Sequence, residues 1–137
     1  MKKFGFVMVA LLFTVGSLFV YTPKASADYD QYFDTDDDVF DNTVTVYSGQ
    51  DVKVKINSCN RVNWNNNSAT PMPVSDCGSA LYAKLCNGTT SNCITKHIGS
   101  DGIVWFTNMR GPYYLVYIYD SWPSYHFEGS SDTTEHW

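Results

Sequence analysis

The chain has 137 residues, of which 44% are apolar and 16% aromatic, and it carries 14 acidic residues against nine basic ones. This length accommodates a single ordinary domain. The net charge of −5 repels phosphate backbones, so the composition argues against nucleic-acid binding.

Residues 1–27 have the pattern of a cleaved secretory signal peptide. Met1-Lys2-Lys3 is a positive start, residues 4–20 are apolar, and Ala25-Ser26-Ala27 is a small-residue cleavage site. We expect cleavage after Ala27 and secretion to the extracellular space; the alternative is a retained membrane anchor. No later stretch is apolar enough to span a membrane. The leader contains three of the nine basic residues and none of the acidic ones, so the remaining chain carries six basic and 14 acidic side chains, a net charge of −8.

Residues 28–42 are rich in aspartate with interleaved aromatic side chains, which predicts a solvated N-terminal arm. Asp34, Asp36 and Asp38 have the i, i+2, i+4 spacing with which a calcium loop opens. The rest of that loop is missing, because a valine replaces the turn glycine and a threonine replaces the bidentate glutamate. The three aspartates are therefore a weak calcium candidate, and we expect no cofactor.

Residues 43–47 and 51–57 predict two strands of a hairpin around a glycine turn. Val52, Val54 and Ile56 alternate with polar residues, which is typical of a strand with one face in the core and one in water.

Residues 59–78 predict a long asparagine-rich loop, with Arg61 and Trp64 as its only large side chains. A loop of this length in a compact domain is usually functional or tethered.

All four cysteines follow the signal peptide, and an even count in an oxidising compartment predicts disulfides. Three pairings are possible, and we favour the neighbouring ones, Cys59 with Cys77 and Cys86 with Cys93. Loop closure by each bond would contribute roughly 2.5–3 kcal/mol.

The second of these disulfides would clamp a hairpin formed by residues 81–85 and 94–98. A zinc site from Cys86, Cys93 and His97 is the competing interpretation, but the spacing is not that of a zinc finger.

Residues 103–107 and 113–119 are almost entirely β-branched and aromatic and predict two strands joined by a turn at Arg110-Gly111-Pro112. The second strand has apolar residues at both parities: Tyr114, Val116 and Ile118 on one side, and Tyr113, Leu115, Tyr117 and Tyr119 on the other. Either both faces are covered, with tyrosine hydroxyls at the rim of the core, or one face exposes an aromatic platform.

Residues 101–118 also contain a series of turn and strand residues: Asp101-Gly102, Phe106, Asn108, Gly111 and Tyr113-Tyr114-Leu115. This series resembles the terminal hairpin of prealbumin-like modules, among them the B-type repeats of bacterial surface adhesins. The resemblance implies a β-sandwich that ends in this hairpin, and it assigns no functional residue.

After Trp122, residues 125–127 could form a last edge strand, and residues 128–137 are polar enough to predict a mobile C-terminal tail. The spacing of short strands and turns predicts an all-β fold. We expect a small antiparallel β-sandwich of about seven strands over residues 43–127, with two disulfides.

No nucleophile elbow, His-Glu-x-x-His motif or phosphate loop occurs in the sequence. Paired carboxylates for glycoside cleavage depend on spatial geometry, which a sequence does not provide. We therefore expect a protein that is not an enzyme.

Two function classes remain. The first is a binding module for a cell-wall or extracellular polymer, in which loop residues at the ends of the sandwich bind the ligand. The candidate ligand-binding residues are Trp64, Trp122 and Tyr125 for stacking and Asn63 and Asn65 for hydrogen bonds. The second is a protein-directed effector, such as a protease inhibitor, toxin or antitoxin, which would use the Cys59–Cys77 loop against another secreted or surface protein. Neither class involves nucleic acid or, after cleavage of the leader, a membrane.

Overall fold

The computed structural model describes residues 28–137, so the predicted signal peptide lies outside the described residues. Within that range the all-β prediction is confirmed, with nine strands where the sequence predicts about seven. The elements are β1 Asp28–Asp34, β2 Asn42–Thr45, β3 Asp51–Asn63, β4 Ala69–Pro71, α1 Val74–Ala80, β5 Leu81–Asn87, β6 Cys93–His97, β7 Ile103–Phe106, β8 Tyr113–Asp120 and β9 Tyr125–His136.

The strands form two antiparallel sheets. The first sheet has five strands in the order β1-β9-β3-β4, with β7 also paired to β3. The second sheet has four strands in the order β2-β8-β5-β6. At 13 residues, β3 is long enough to pair with β7 through residues 52–55 and with β4 through residues 60–62, while β9 occupies its other edge.

The core lies between the two sheets and comes from alternating apolar residues. Val52, Val54 and Ile56 of β3 are at most 1% exposed, and they share one cluster with Val116 of β8. Burying an aliphatic side chain of this kind contributes about 1.5–3 kcal/mol. The strand with the clearest alternation in the sequence therefore supplies a large part of the core.

Both predicted disulfides are present, Cys59–Cys77 and Cys86–Cys93. Cys86 and Cys93 are directly opposed in the register of β5 and β6, so the predicted clamped hairpin is confirmed. A zinc site would need the thiolates that this bond consumes. Structural disulfides suggest that the fold belongs to an oxidising environment.

The segment between Cys59 and Cys77 is more regular than the predicted loop. β3 continues to Asn63, residues 64–68 turn, and β4 returns beside β3 before α1 begins. The seven residues of α1 span about two turns, too few for a readable 3.6-residue period. In the described range no helix is long and apolar enough to cross a membrane.

The predicted mobile tail is wrong. Residues 128–136 belong to β9, which lies in the interior of the first sheet between β1 and β3. Ser131 and Thr133 point into the core, where each is 1% exposed. Small polar residues do not produce an alternation of apolar and polar positions, so the sequence of this strand predicts a tail.

The predicted solvated arm is wrong for residues 28–34, which form β1 at the edge of the first sheet. Phe33 is 0% exposed and belongs to the core cluster. Three of the seven residues of β1 are aspartates, so the sequence shows an acidic segment where the structure has an edge strand.

Two predicted hairpins are also wrong, although their strands exist. β2 pairs with β8 in the second sheet whereas β3 belongs to the first. Likewise β7 pairs with β3 and β8 pairs with β2 and β5, so the region that resembles a terminal hairpin crosses between the sheets instead. A short turn can join strands of different sheets as well as strands of one sheet, and local sequence does not distinguish the two cases.

The position of β9 leads to a truncation test. A chain that ends at Phe127 should not fold, because β1 and β3 would lose their shared partner over most of their length. Circular dichroism and thermal unfolding check this. A chain that lacks only Trp137, which is 86% exposed beyond the end of β9, is the control and should melt within a few degrees of the full chain. A cooperative melt of the shorter chain near the same temperature would contradict the role of β9.

Candidate functional site

Three of the five residues predicted to bind a polymer meet at one end of the sandwich. Trp122 contacts Tyr125 edge-on, with ring centroids 6.0 Å apart, and is 41% exposed. The guanidinium carbon of Arg61 lies 4.5 Å from the Tyr125 ring centroid. Asn63 is opposite Tyr125 in the register of β3 and β9 and lines the same polar recess. We call Arg61, Asn63, Trp122 and Tyr125 the end cluster.

The other two predicted residues lie elsewhere. The ring of Trp64 packs against His126, with centroids 4.7 Å apart. His126 follows Tyr125 in β9, and consecutive strand residues point to opposite faces, so Trp64 and Trp122 do not share a surface. Asn65 shapes the turn, since its backbone N–H donates to Asn63 Oδ1 at 2.9 Å.

A second aromatic surface covers the outer face of the second sheet. Tyr82 and Tyr119 are register partners on β5 and β8, and their rings stack with centroids 5.5 Å apart and planes 18° from parallel. Lys84 and Tyr117 form the next pair, with Lys84 Nζ 4.6 Å from the Tyr117 centroid. All four side chains are half-buried and lie outside the core cluster. We call Tyr82, Lys84, Tyr117 and Tyr119 the tyrosine platform.

The two faces of β8, which are both rich in apolar residues, lie in different environments. Tyr114, Val116 and Ile118 face the core and are 5%, 0% and 3% exposed. Tyr117 and Tyr119 alternate with these residues, so their side chains face outward, and both are half-buried. The strand therefore supplies the core with one face and an open aromatic surface with the other.

A groove of about 430 Å³ lies between the platform and the acidic segment that follows β1. Lys84, Tyr117 and Tyr119 line one side of it. The carboxylates that line the groove are Asp34, Asp37, Asp38 and Asp120. Ligand hydroxyls can donate to carboxylates and accept from an ammonium group, so the groove offers both kinds of partner beside aromatic faces.

Asp41 anchors this acidic segment to β8. Its Oδ2 accepts the N–H of Ile118 at 2.7 Å, and its Oδ1 accepts the N–H of Asp34 at 3.2 Å. The hydroxyl of Thr35 donates to Asp120 nearby. Burial raises the pKa of Asp41 to about 6, although the two backbone hydrogen bonds oppose the rise.

The aspartates of the weak calcium candidate are engaged differently. Asp34 Oδ1 accepts the N–H of Asp36 at 3.0 Å and lies 3.1 Å from His126 Nδ1. Asp36 and Asp38 are exposed. Over residues 28–137, no group of three or more histidine, cysteine, aspartate or glutamate side chains is placed to hold a metal ion.

Within residues 30–137, none of the six lysine and arginine side chains forms a salt bridge with a carboxylate. Four of them lie over aromatic rings instead: Lys53 over Trp105, Arg61 over Tyr125, Lys84 over Tyr117, and Lys96 over Phe106. A cation over a ring keeps its hydrogen-bond donors, so Arg61 and Lys84 remain able to bind a ligand.

Sequence reasoning missed Tyr82 and Lys84 and assigned no role to Arg61. Each of these residues lies beside a partner on a neighbouring strand: Tyr82 beside Tyr119, Lys84 beside Tyr117, and Arg61 beside the start of β9. Tyr82 and Lys84 are two residues apart in the sequence, and this spacing indicates that they share the outward face of a strand.

Titration of Asp41 should lower stability as the pH rises. With a pKa raised from 3.8 to about 6, the folded state binds this proton more tightly than the unfolded state. Its contribution is therefore complete below about pH 4 and lost as the pH passes about 6. We expect the free energy of unfolding of the wild type, relative to Asp41→Asn, to fall across this window in urea titrations. Asp38→Asn, exposed on the same segment, is the control for the loss of one negative charge. A difference between wild type and Asp41→Asn that stays constant with pH would refute the assignment.

The chain matches no model of a known protein family, and no characterised protein and no solved structure is similar to it. Its function is therefore inferred from the two aromatic surfaces.

Proposed function

We propose that this protein is a secreted, non-enzymatic binding module for a cell-wall or extracellular polymer, and that this polymer is a glycan that stacks on the tyrosine platform. The proposal depends on one observation, the row formed by Tyr82, Tyr117 and Tyr119 on the open face of the second sheet. The opposite face of this sheet already supplies the core, so packing alone does not require large aromatic residues here.

Tyrosine matches the chemistry of a sugar ring. A pyranose has a face of C–H groups and a rim of hydroxyls, and a tyrosine offers an apolar ring and a polar hydroxyl. Tyr117 and Tyr119 are two residues apart along β8, roughly 7 Å. Side chains of the row can therefore contact one polymer chain at more than one point.

The platform is ordered before a ligand arrives. Lys84 lies between two rings, 4.6 Å from the Tyr117 centroid and 5.9 Å from the Tyr119 centroid. Tyr82 is held between the stacked ring of Tyr119 and the edge-on ring of His97, whose centroid is 5.0 Å away. Side chains that are already held lose less conformational entropy on binding.

The groove beside the platform supplies the polar contacts. A glycan chain on the tyrosines would have the carboxylates of Asp37 and Asp120 on one side, and both accept hydrogen bonds from sugar hydroxyls. Trp122 and Tyr125 of the end cluster are proposed as further stacking positions, with Asn63 as a donor. Trp64 and Asn65 would act at a separate surface.

Export supports the same proposal. Two disulfides suggest an oxidising environment, and the sequence of residues 1–27 predicts a cleaved leader. A polymer outside the cell is the kind of ligand that such a protein meets.

The alternative, an effector that acts on another protein through the Cys59–Cys77 loop, has less support. Such a role favours a protruding loop, whereas β4 folds back along β3 and α1 packs on the sandwich. The exposed residues of the segment are residues 64–71, in the turn and β4, and Pro73, Ser75 and Asp76 at the start of α1.

The double variant Tyr82→Ala/Tyr119→Ala tests the platform. We expect it to lose retention on an insoluble glycan by at least about tenfold, since aromatic stacking contributes about 1–3 kcal/mol per ring in comparable nucleobase sites. Pull-down of the exported protein on purified bacterial cell wall, chitin and cellulose is the measurement, with melting temperatures recorded in parallel.

Tyr47→Ala is the matched control. It removes a tyrosine that is 58% exposed and follows β2, away from the platform, and it should bind like the wild type. Retention of the wild type on none of the three polymers, or equal retention of the double variant, would contradict the proposal.

A further inference from the structure

We infer that the recess beside Arg61 is a second ligand site, separate from the tyrosine platform, and that it takes the carboxylate of an acidic sugar. The recess has a volume of about 120 Å³, a size suited to one polar group rather than to a polymer. The residues that line it are Arg61, Asn63, Asn66, Ser68, Thr70 and Tyr125.

Hydrogen-bond donors dominate this lining. Asn63 Oδ1 accepts the N–H of Asn65 at 2.9 Å, and Asn66 Oδ1 accepts the N–H of Ser68 at 3.0 Å. These bonds fix which amide atom is the oxygen, and they leave both Nδ2 groups as donors without a partner in the described range. Ser68 and Thr70 add two hydroxyls that can donate. The recess therefore presents amide and hydroxyl donors around the guanidinium of Arg61.

Arg61 lacks the partner that an arginine in an acidic protein should find easily. Residues 30–137 carry 13 carboxylate side chains, yet none of them forms a salt bridge with Arg61 and none lines the recess. The ring of Tyr125 holds the guanidinium in place from one side, with 4.5 Å between the guanidinium carbon and the ring centroid. A guanidinium fixed on a ring keeps its edge, which pairs with both oxygens of a carboxylate.

The surroundings favour a sugar acid over a bare anion. Trp122 lies edge-on to Tyr125 and is 41% exposed, so an aromatic surface for a pyranose ring adjoins the carboxylate position. The net charge of −8 on residues 28–137 opposes a polyanion. The ligand that fits both conditions is a single acidic unit, at the end of a glycan or isolated within a neutral one.

Calorimetric titration with two matched trisaccharides tests this site. One ends in a glucuronic acid and the other carries the methyl ester of the same unit, so the two differ by one negative charge and one methyl group. We expect the acid to bind at least about tenfold more tightly than the ester, as loss of one charge-assisted pair predicts. Arg61→Gln should weaken the acid by a similar factor and leave the ester unchanged, and Arg61→Lys should lie between, because lysine keeps the charge without the fork.

Arg110→Gln is the control. Arg110 precedes β8, at the end of that strand away from Trp122, and is exposed, so its loss changes net charge equally without touching the recess. The double variant Tyr82→Ala/Tyr119→Ala should bind the acid like the wild type, which separates this site from the platform. Should Arg61→Gln not fold, the comparison of acid with ester on the unaltered protein decides the question.

Several results would overturn the inference: equal affinity for acid and ester, no binding of either, or an equal loss in Arg61→Gln and Arg110→Gln. Inorganic phosphate is the last competitor. Displacement of the acid by an equal concentration of phosphate would show a general anion site and would contradict recognition of a sugar acid.

Discussion

The pairing of β3 with β9 is the contact on which the rest of the structure depends. The ladder runs from Asn63 opposite Tyr125 to Asp51 opposite His136, and the other edge of β9 holds β1. At the irregularity in this ladder the strands approach so closely that a Cβ on Gly129 would overlap the carbonyl oxygen of Ser58. The same ladder brings Arg61 and Asn63 beside Tyr125, so the end cluster is a direct product of the fold.

β9 is polar although it lies in the interior of a sheet. Its buried polar groups and the two disulfides change the free energy of unfolding in opposite directions. The hydroxyls of Ser131 and Thr133 are buried without a hydrogen-bond partner in the described part of the chain. Each such group costs about 1–3 kcal/mol. Loop closure by the bonds Cys59–Cys77 and Cys86–Cys93 acts in the opposite direction, by roughly 2.5–3 kcal/mol each. The fold therefore gains from an environment in which its cysteines stay oxidised.

The end cluster and the tyrosine platform differ in the charge of the residues around them. Carboxylates line the groove beside Tyr117 and Tyr119, whereas hydrogen-bond donors dominate the lining of the recess at Arg61 and no carboxylate belongs to it. The first environment suits hydroxyl groups and the second suits a negative charge. Arg61 and Lys84 lie over aromatic rings and keep their hydrogen-bond donors, so each is available to a ligand.

Features that depend on local composition and on the side-chain period can be predicted from the sequence alone. Alternation identified β3 and its core face, β-branched and aromatic content identified β7 and β8, and the cysteine spacing favoured the pairings that the structure contains. These features are local, because a strand shows which of its faces is buried in its own residues.

Strand pairing and the contacts between side chains of different strands depend on the three-dimensional fold. Alternation reports a buried face but not the neighbour across a ladder, so it predicts one hairpin from β2 and β3 and does not connect Tyr82 with Tyr119. The composition of residues 128–136 predicts a tail, because backbone hydrogen bonds to two neighbours, rather than large apolar side chains, hold this part of β9 in the sheet. The recess at Arg61 arises from the turn after β3, β4 and the start of β9 together, and no one stretch of sequence contains it.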